Sequence, residues 1–170
     1  MRQHDEINPG PHQRNQVHDT SASSASSAVV VVGIDGSDTS WDALCWACGE
    51  TSRLGGRTVA VFVGPTSAAT TATASFGGAV VAYGAIQQTM IDQAEELGDQ
   101  IRGYALDHGV NLTFVHTQGD TAAELLRIAG SDHADLIVVG RSTKARHHLA
   151  GSLGRRLVGR HGAPIIVVVP

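Results

Sequence analysis

A Rossmann-like α/β domain, with a five-stranded parallel sheet and helices on both faces, is the fold class this 170-residue sequence predicts. Two observations carry the prediction. Five short runs are apolar and largely β-branched without alternation, the pattern of strands buried on both faces. Between them lie segments whose apolar residues recur three and four apart, so strands and helices alternate along the chain. Crossovers in such a sheet are right-handed, and ligands sit beyond the strands' carboxyl ends, near the point where strand order reverses.

The first strand is AVVVVGI, ending at Ile34. DGSDTS follows as a turn with capping residues, and a helix runs from about Trp41 to Leu54, where Gly55-Gly56 stops it. RTVAVFVG is strand two. The next twenty residues, 65–84, are rich in Thr, Ala and Gly and carry little pattern, which predicts a mobile insert. Residues 85–108 place Ile86, Met90, Ala94, Leu97, Ile101, Tyr104 and Ala105 on one helical face. NLTFVH is strand three. GDTAAELLRIAGSD is a helix in which Thr121 and Glu124 stand at capping-box spacing. DLIVVG, SLGRRLVGR and APIIVVV then read as strand four, a short helix and strand five.

Residues 1–27 have no apolar period, contain Pro9 and Pro11 and end in the low-complexity run TSASSASSA. They bury too little to offset their ordering entropy and are expected to form a disordered tail ahead of one domain over 28–170. The opening residues lack the apolar stretch of a secretory leader, and no apolar run reaches the ~18 residues that span a bilayer. Two cysteines cannot form a disulfide framework. A formal net charge of −4 argues against a nucleic-acid-binding surface. The expectation is a soluble cytoplasmic protein that binds neither nucleic acid nor membrane.

Charge is unevenly placed. Residues 141–160 hold Arg141, Lys144, Arg146, Arg155, Arg156 and Arg160, six of the chain's twelve basic residues, and no acid. This stretch leaves strand four and enters the short helix, so it would draw an anion to the carboxyl end of the sheet. Gly151 and Ser152 open that helix, where backbone N–H groups and a hydroxyl suit phosphate; a solvated cationic helix face capped by Ser152 is the plainer account. Arg155, Arg156 and Arg160 lie farther along and are expected to face solvent or a partner. Asp35 ends strand one, where its carboxylate can accept from a ribose hydroxyl or an exocyclic amine, or form the turn. Asp35 and the Gly140 loop would face one crevice.

VVVVGIDGS at the start, GDTAAELLRIA before DLIVVG, and the closing GS…APIIVVVP together resemble a universal stress protein domain, over about Val29 to Val169. The resemblance implies strand order 3-2-1-4-5 and a homodimer through the C-terminal strand. In one branch of the family it also implies bound ATP, with Mg²⁺. Carried over by position, Ile34 and Asp35 would contact adenine and ribose, and Val63 would line the base pocket. Gly140, Arg141, Thr143, Gly151, Ser152 and Leu153 would surround ribose and phosphates. The ATP-binding branch has Gly, two residues, Gly, nine residues, then Gly and Ser or Thr. Here Thr143 stands at the second Gly, and seven residues separate it from Gly151. The function expected is therefore an adenine-nucleotide-binding stress-response regulator that acts by conformation and dimerisation and is not an enzyme, with a slow ATPase or autokinase depending on Asp35 kept open. The alternative is an interaction module of the same fold that has lost ATP and docks an acidic protein partner on its basic helix.

Other motifs have plainer accounts. Cys45-Trp46-Ala47-Cys48 has redox spacing but falls in mid-helix, away from a strand-to-helix junction, so both cysteines are expected to be buried small residues. Adjacent His147 and His148 point apart and lack partners for a metal. Ser37 has no identifiable His and Asp to activate it, and neither a nucleophile elbow nor a Walker loop is present.

Overall fold

The computed structural model describes residues 27–66, 79–141, 152–159, 162 and 164–170. Strands and helices alternate: β1 (Val29–Gly33), α1 (Asp38–Leu54), β2 (Arg57–Gly64), α2 (Ala79–His108), β3 (Leu112–Gln118), α3 (Thr121–Ser131), β4 (Leu136–Gly140), α4 (Ser152–Val158) and β5 (Ile165–Val169). All pairings are parallel and the order is β3-β2-β1-β4-β5. The chain thus moves outward from β1 to β3, then returns to lay β4 on the other side of β1. That reversal opens a gap beyond the carboxyl ends of β1 and β4.

Parallel register puts partners on the same face, and the core divides accordingly. Val30 of β1 lies beside Thr58 and Leu136, and Val32 beside Ala60 and Val138. Val30, Val32, Ala60, Phe62 and Val138 pack with Ala43, Leu44, Ala47 and Cys48 of α1 and Ala94, Leu97 and Ile101 of α2. The alternate residues Val31, Val59, Val61, Ile137 and Val139 pack on the other face with Leu125 and Ile128 of α3 and Leu157 of α4. Val30, Val31 and Val32 are completely buried. Such a strand must be apolar at every position, which is why it reads as an unbroken run.

Several boundaries differ from expectation. α1 begins at Asp38, because Ser37 caps it: the Ser37 side chain accepts from the Ser40 N–H. α2 begins at Ala79, so residues 79–84 of the expected insert are helical and only 67–78 lie outside the described residues. The cap of α3 is Asp120, whose carboxylate accepts from the Ala123 N–H at 3.0 Å. Thr121 is already helical, and Glu124 turns aside to Thr117 and Arg127 instead of closing a box. The tail expected over 1–27 lies outside the described residues except for Ser27. Among the described residues, no helix is long and apolar enough to cross a membrane.

Candidate functional site

The gap at the strand-order reversal is a cleft of about 590 Å³, within the ~300–1,000 Å³ usual for small-ligand sites. Its floor is Gly33, Ile34, Val61, Val63 and Val139, the carboxyl ends of three strands. The turn between β1 and α1 forms one wall. The opposite side is formed by Thr121, Gly140, Arg141, Leu153, Gly154 and Arg156.

The β1–α1 wall is tied together by its own side chains. Gly36 takes φ +82°, a left-handed turn that a side chain would resist. This turn lets the Asp35 Oδ1 accept from both the Ser37 backbone N–H, at 3.0 Å, and its hydroxyl, at 2.5 Å. Ser40 Oγ donates to the Ser37 carbonyl at 2.8 Å and accepts from the Asp35 N–H at 3.3 Å. Asp35 therefore serves as a turn former while remaining exposed at the cleft. The two accounts of this residue coexist.

Gly140 fixes how closely the walls approach. A Cβ there would lie 2.3 Å from the Thr39 carbonyl oxygen and 2.9 Å from the Ser40 nitrogen. The end of β4 thus packs directly on the first turn of α1, backbone to backbone. Beyond it, the Arg141 N–H donates to the Val169 carbonyl at 2.7 Å, so the ladder to β5 holds the start of this loop.

Arg156, expected to face solvent or a partner, is exposed, and it also lines the cleft, where its Nη2 donates to Asp120 Oδ2 at 2.6 Å. Spacing explains this, since Arg156 is three residues beyond Leu153 on a helix whose Leu157 is fully buried. The Arg156 hydrogen bond, then the Ala123 N–H, holds the Asp120 carboxyl below its ordinary range. Arg155 is exposed, while Lys144, Arg146, His147, His148 and Arg160 lie outside the described residues.

Of the residues singled out in the sequence, Ile34, Asp35, Val63, Gly140, Arg141 and Leu153 come together around this cleft. Thr143 and Gly151 lie outside the described residues, as does the side chain of Ser152. Sequence reasoning missed Ser37, Thr39, Thr121 and Arg156 as lining residues. The cysteines need a correction too: Cys48 is buried, but Cys45 is exposed. Burial pushes the Cys48 thiol up and raises Tyr104, which bonds Cys45, to about 12. Neither cysteine reaches the cleft. Among the described residues, no three His, Cys, Asp or Glu side chains converge as metal ligands.

The family model for the universal stress protein family matches residues 28–169. No curated protein matches the chain. Among solved structures, a universal stress protein family member from Burkholderia pseudomallei is 22% identical with a TM-score of 0.66, over 88% of this chain and 99% of that one. A universal stress protein from Archaeoglobus fulgidus in complex with dAMP is 18% identical with a TM-score of 0.61, over 84% and 98%. A universal stress protein in complex with cAMP is 21% identical with a TM-score of 0.52, over 84% and 95%. At these identities the likeness to solved structures is one of fold.

Proposed function

The chain belongs to the universal stress protein family, and from that premise we propose that it is a cytoplasmic regulator whose cleft binds an adenine nucleotide, ATP carried with Mg²⁺. The observation that supports this most is the cleft itself: an apolar floor, a carboxylate on one wall and close-packed backbone at Gly140 on the other. Relatives of this fold bind dAMP and cAMP, which share adenine, a sugar and a 5′-phosphate. In this reading the base lies on Ile34, Val61 and Val63, Asp35 accepts from the ribose, and the phosphates run towards Gly140 and Arg141. Mg²⁺ would neutralise phosphate charge.

The output is conformation rather than turnover. Asp35 is the one carboxylate among the described lining residues and is already engaged by Ser37, and no histidine or cysteine joins it there. Dimerisation would use β5, an edge strand on which Ile165 and Val168 are exposed. Unpaired edges of this kind invite a second strand. Light scattering at tens of micromolar tests this; a monomer speaks against it.

Calorimetric titration of ATP with Mg²⁺ into the full chain tests the ligand, with ADP, AMP and cAMP alongside. Micromolar binding that is lost in a folded Asp35→Ala variant supports the proposal. Thermal stability should rise in parallel, by ~2.7 kcal/mol at a hundredfold excess over Kd. No binding by any of the four overturns it. The second reading, an interaction module, would then stand on Thr143 in place of the family's glycine and on exposed Arg155 as a docking point for an acidic partner.

A further inference from the structure

Among the described residues, Arg156 and Asp120 form the one ion pair at the edge of the cleft, and their arrangement carries more than an ion pair needs. Asp120 uses one oxygen for the Ala123 N–H and the other for Arg156, across 36 residues of sequence. The cap would hold without the arginine. Both side chains are about half exposed, at 55% and 45%, so the pair is weak and its exchange is cheap. Arg156 and Arg141 are the only cations among the described lining residues. A planar guanidinium prefers a phosphate, which accepts two parallel hydrogen bonds and carries more charge than a carboxylate that is already bonded.

We infer that Arg156 is a phosphate-counting residue, parked on Asp120 when the cleft lacks phosphate and transferred to the polyphosphate of a bound nucleotide. This rests on the reading of the cleft as a nucleotide site and adds what sets its preference. The nucleoside end is read by the β1–α1 wall, whereas the number of phosphates is read by Arg156. Asp120 is a positioning residue: it keeps Arg156 folded against the start of α3 and sets a threshold that a nucleoside cannot cross. Nothing covalent changes; one charge-assisted bond replaces another.

The test titrates adenosine, AMP and ATP with Mg²⁺ into the full chain and into Arg156→Gln, Asp120→Asn and the double variant. Asparagine is as good a helix cap as aspartate, so Asp120→Asn keeps the Ala123 bond and removes only the charge. Arg156→Gln should weaken ATP about tenfold and leave adenosine unchanged. Asp120→Asn should tighten ATP two- to threefold, roughly the worth of a weak exposed pair. That gain should vanish in the double variant, because a freed arginine is its source. ATP binding Arg156→Gln as tightly as the parent would overturn the inference and leave the nucleotide reading intact. An Asp120→Asn gain that survives in the double variant would also overturn it, since it would reflect general charge. If neither adenosine, AMP nor ATP binds the parent chain, the nucleotide reading fails and this inference fails with it.

Discussion

The wall of the cleft made by the β1–α1 turn bonds its polar groups to one another, whereas the opposite wall holds one ion pair, Arg156 on Asp120, that is half open to water. Asp35, Ser37 and Ser40 share five side-chain hydrogen bonds within six residues. Arg156 and Asp120 share one, across 36 residues and half in water. Local bonds are made as soon as the turn forms and their loss distorts it. The distant pair depends on the whole fold, and the fold depends little on it. Shape at the first wall and charge at the second are therefore separable by mutation.

The two walls touch at Gly140, where any separation of roles ends. Gly140→Ala drives a Cβ to 2.3 Å from the Thr39 carbonyl oxygen. The obstacle is backbone in a capped helix turn and cannot rotate away. Overpacking of this kind costs about 3 kcal/mol, or a Tm lower by roughly 6–12 °C for a domain of this size. Both ends of the cleft should suffer, so adenosine and ATP should weaken together. A variant with parental Tm would mean that β4 and α1 slide apart freely, and the contrast between walls would lose its fixed point.

Much of this layout is legible in the residues themselves. Strands buried on both faces announce themselves, as AVVVVGI and DLIVVG do, because every position must be apolar. Their spatial order is not local information; the order 3-2-1-4-5 came through the resemblance to a family, and the structure agrees with it. Helix starts were less legible. α2 begins six residues before the expected start, and AVVAYG, with two valines, a tyrosine and a glycine, carries no strong helix signal of its own. The spacing of Thr121 and Glu124 points to a capping box, yet Asp120, the better cap, holds the helix start. Burial is the expectation for both Cys45 and Cys48, yet three residues of helix leave them on different parts of its surface, with Cys45 exposed. Arg156 faces solvent as expected and also lines the cleft, and its bond to Asp120, 36 residues away in sequence, leaves no local signal. The residues most often missed are those whose partner is distant in sequence.

Ser37→Ala sharpens the contrast from the first wall. It removes the cap that accepts from the Ser40 N–H and the hydroxyl that donates to Asp35. Loss of an N-cap serine costs about 1 kcal/mol, so Tm should fall by roughly 2–4 °C. The Ser37 backbone N–H still donates to Asp35, so the turn should loosen without opening. Adenosine and ATP should then weaken by the same factor, unlike the selective loss of ATP expected from Arg156→Gln. A loss confined to ATP would put phosphate recognition on the wrong wall.

The smallest effect belongs to the second wall and is read as a pH dependence. Arg156 first, and the Ala123 N–H second, hold the Asp120 carboxyl below its ordinary value of 3.8. The folded chain therefore binds this proton less readily than the unfolded chain. Stability from the pair is fully present above about pH 4 and is lost as pH falls through the lowered folded value. Thermal melts of the parent and of Asp120→Asn between pH 6 and pH 2.5 isolate it, because the asparagine keeps the cap and cannot titrate. The gap between the two Tm curves should be small and constant at the upper end and close as pH falls. Arg156→Gln should also narrow the gap at pH 6, since the carboxylate then has only the Ala123 N–H. A gap that stays constant down to pH 2.5 would mean that the carboxylate contributes to the fold only as a cap. The pair would then be a bystander at this wall, and Arg156 would be as available to solvent as Arg155.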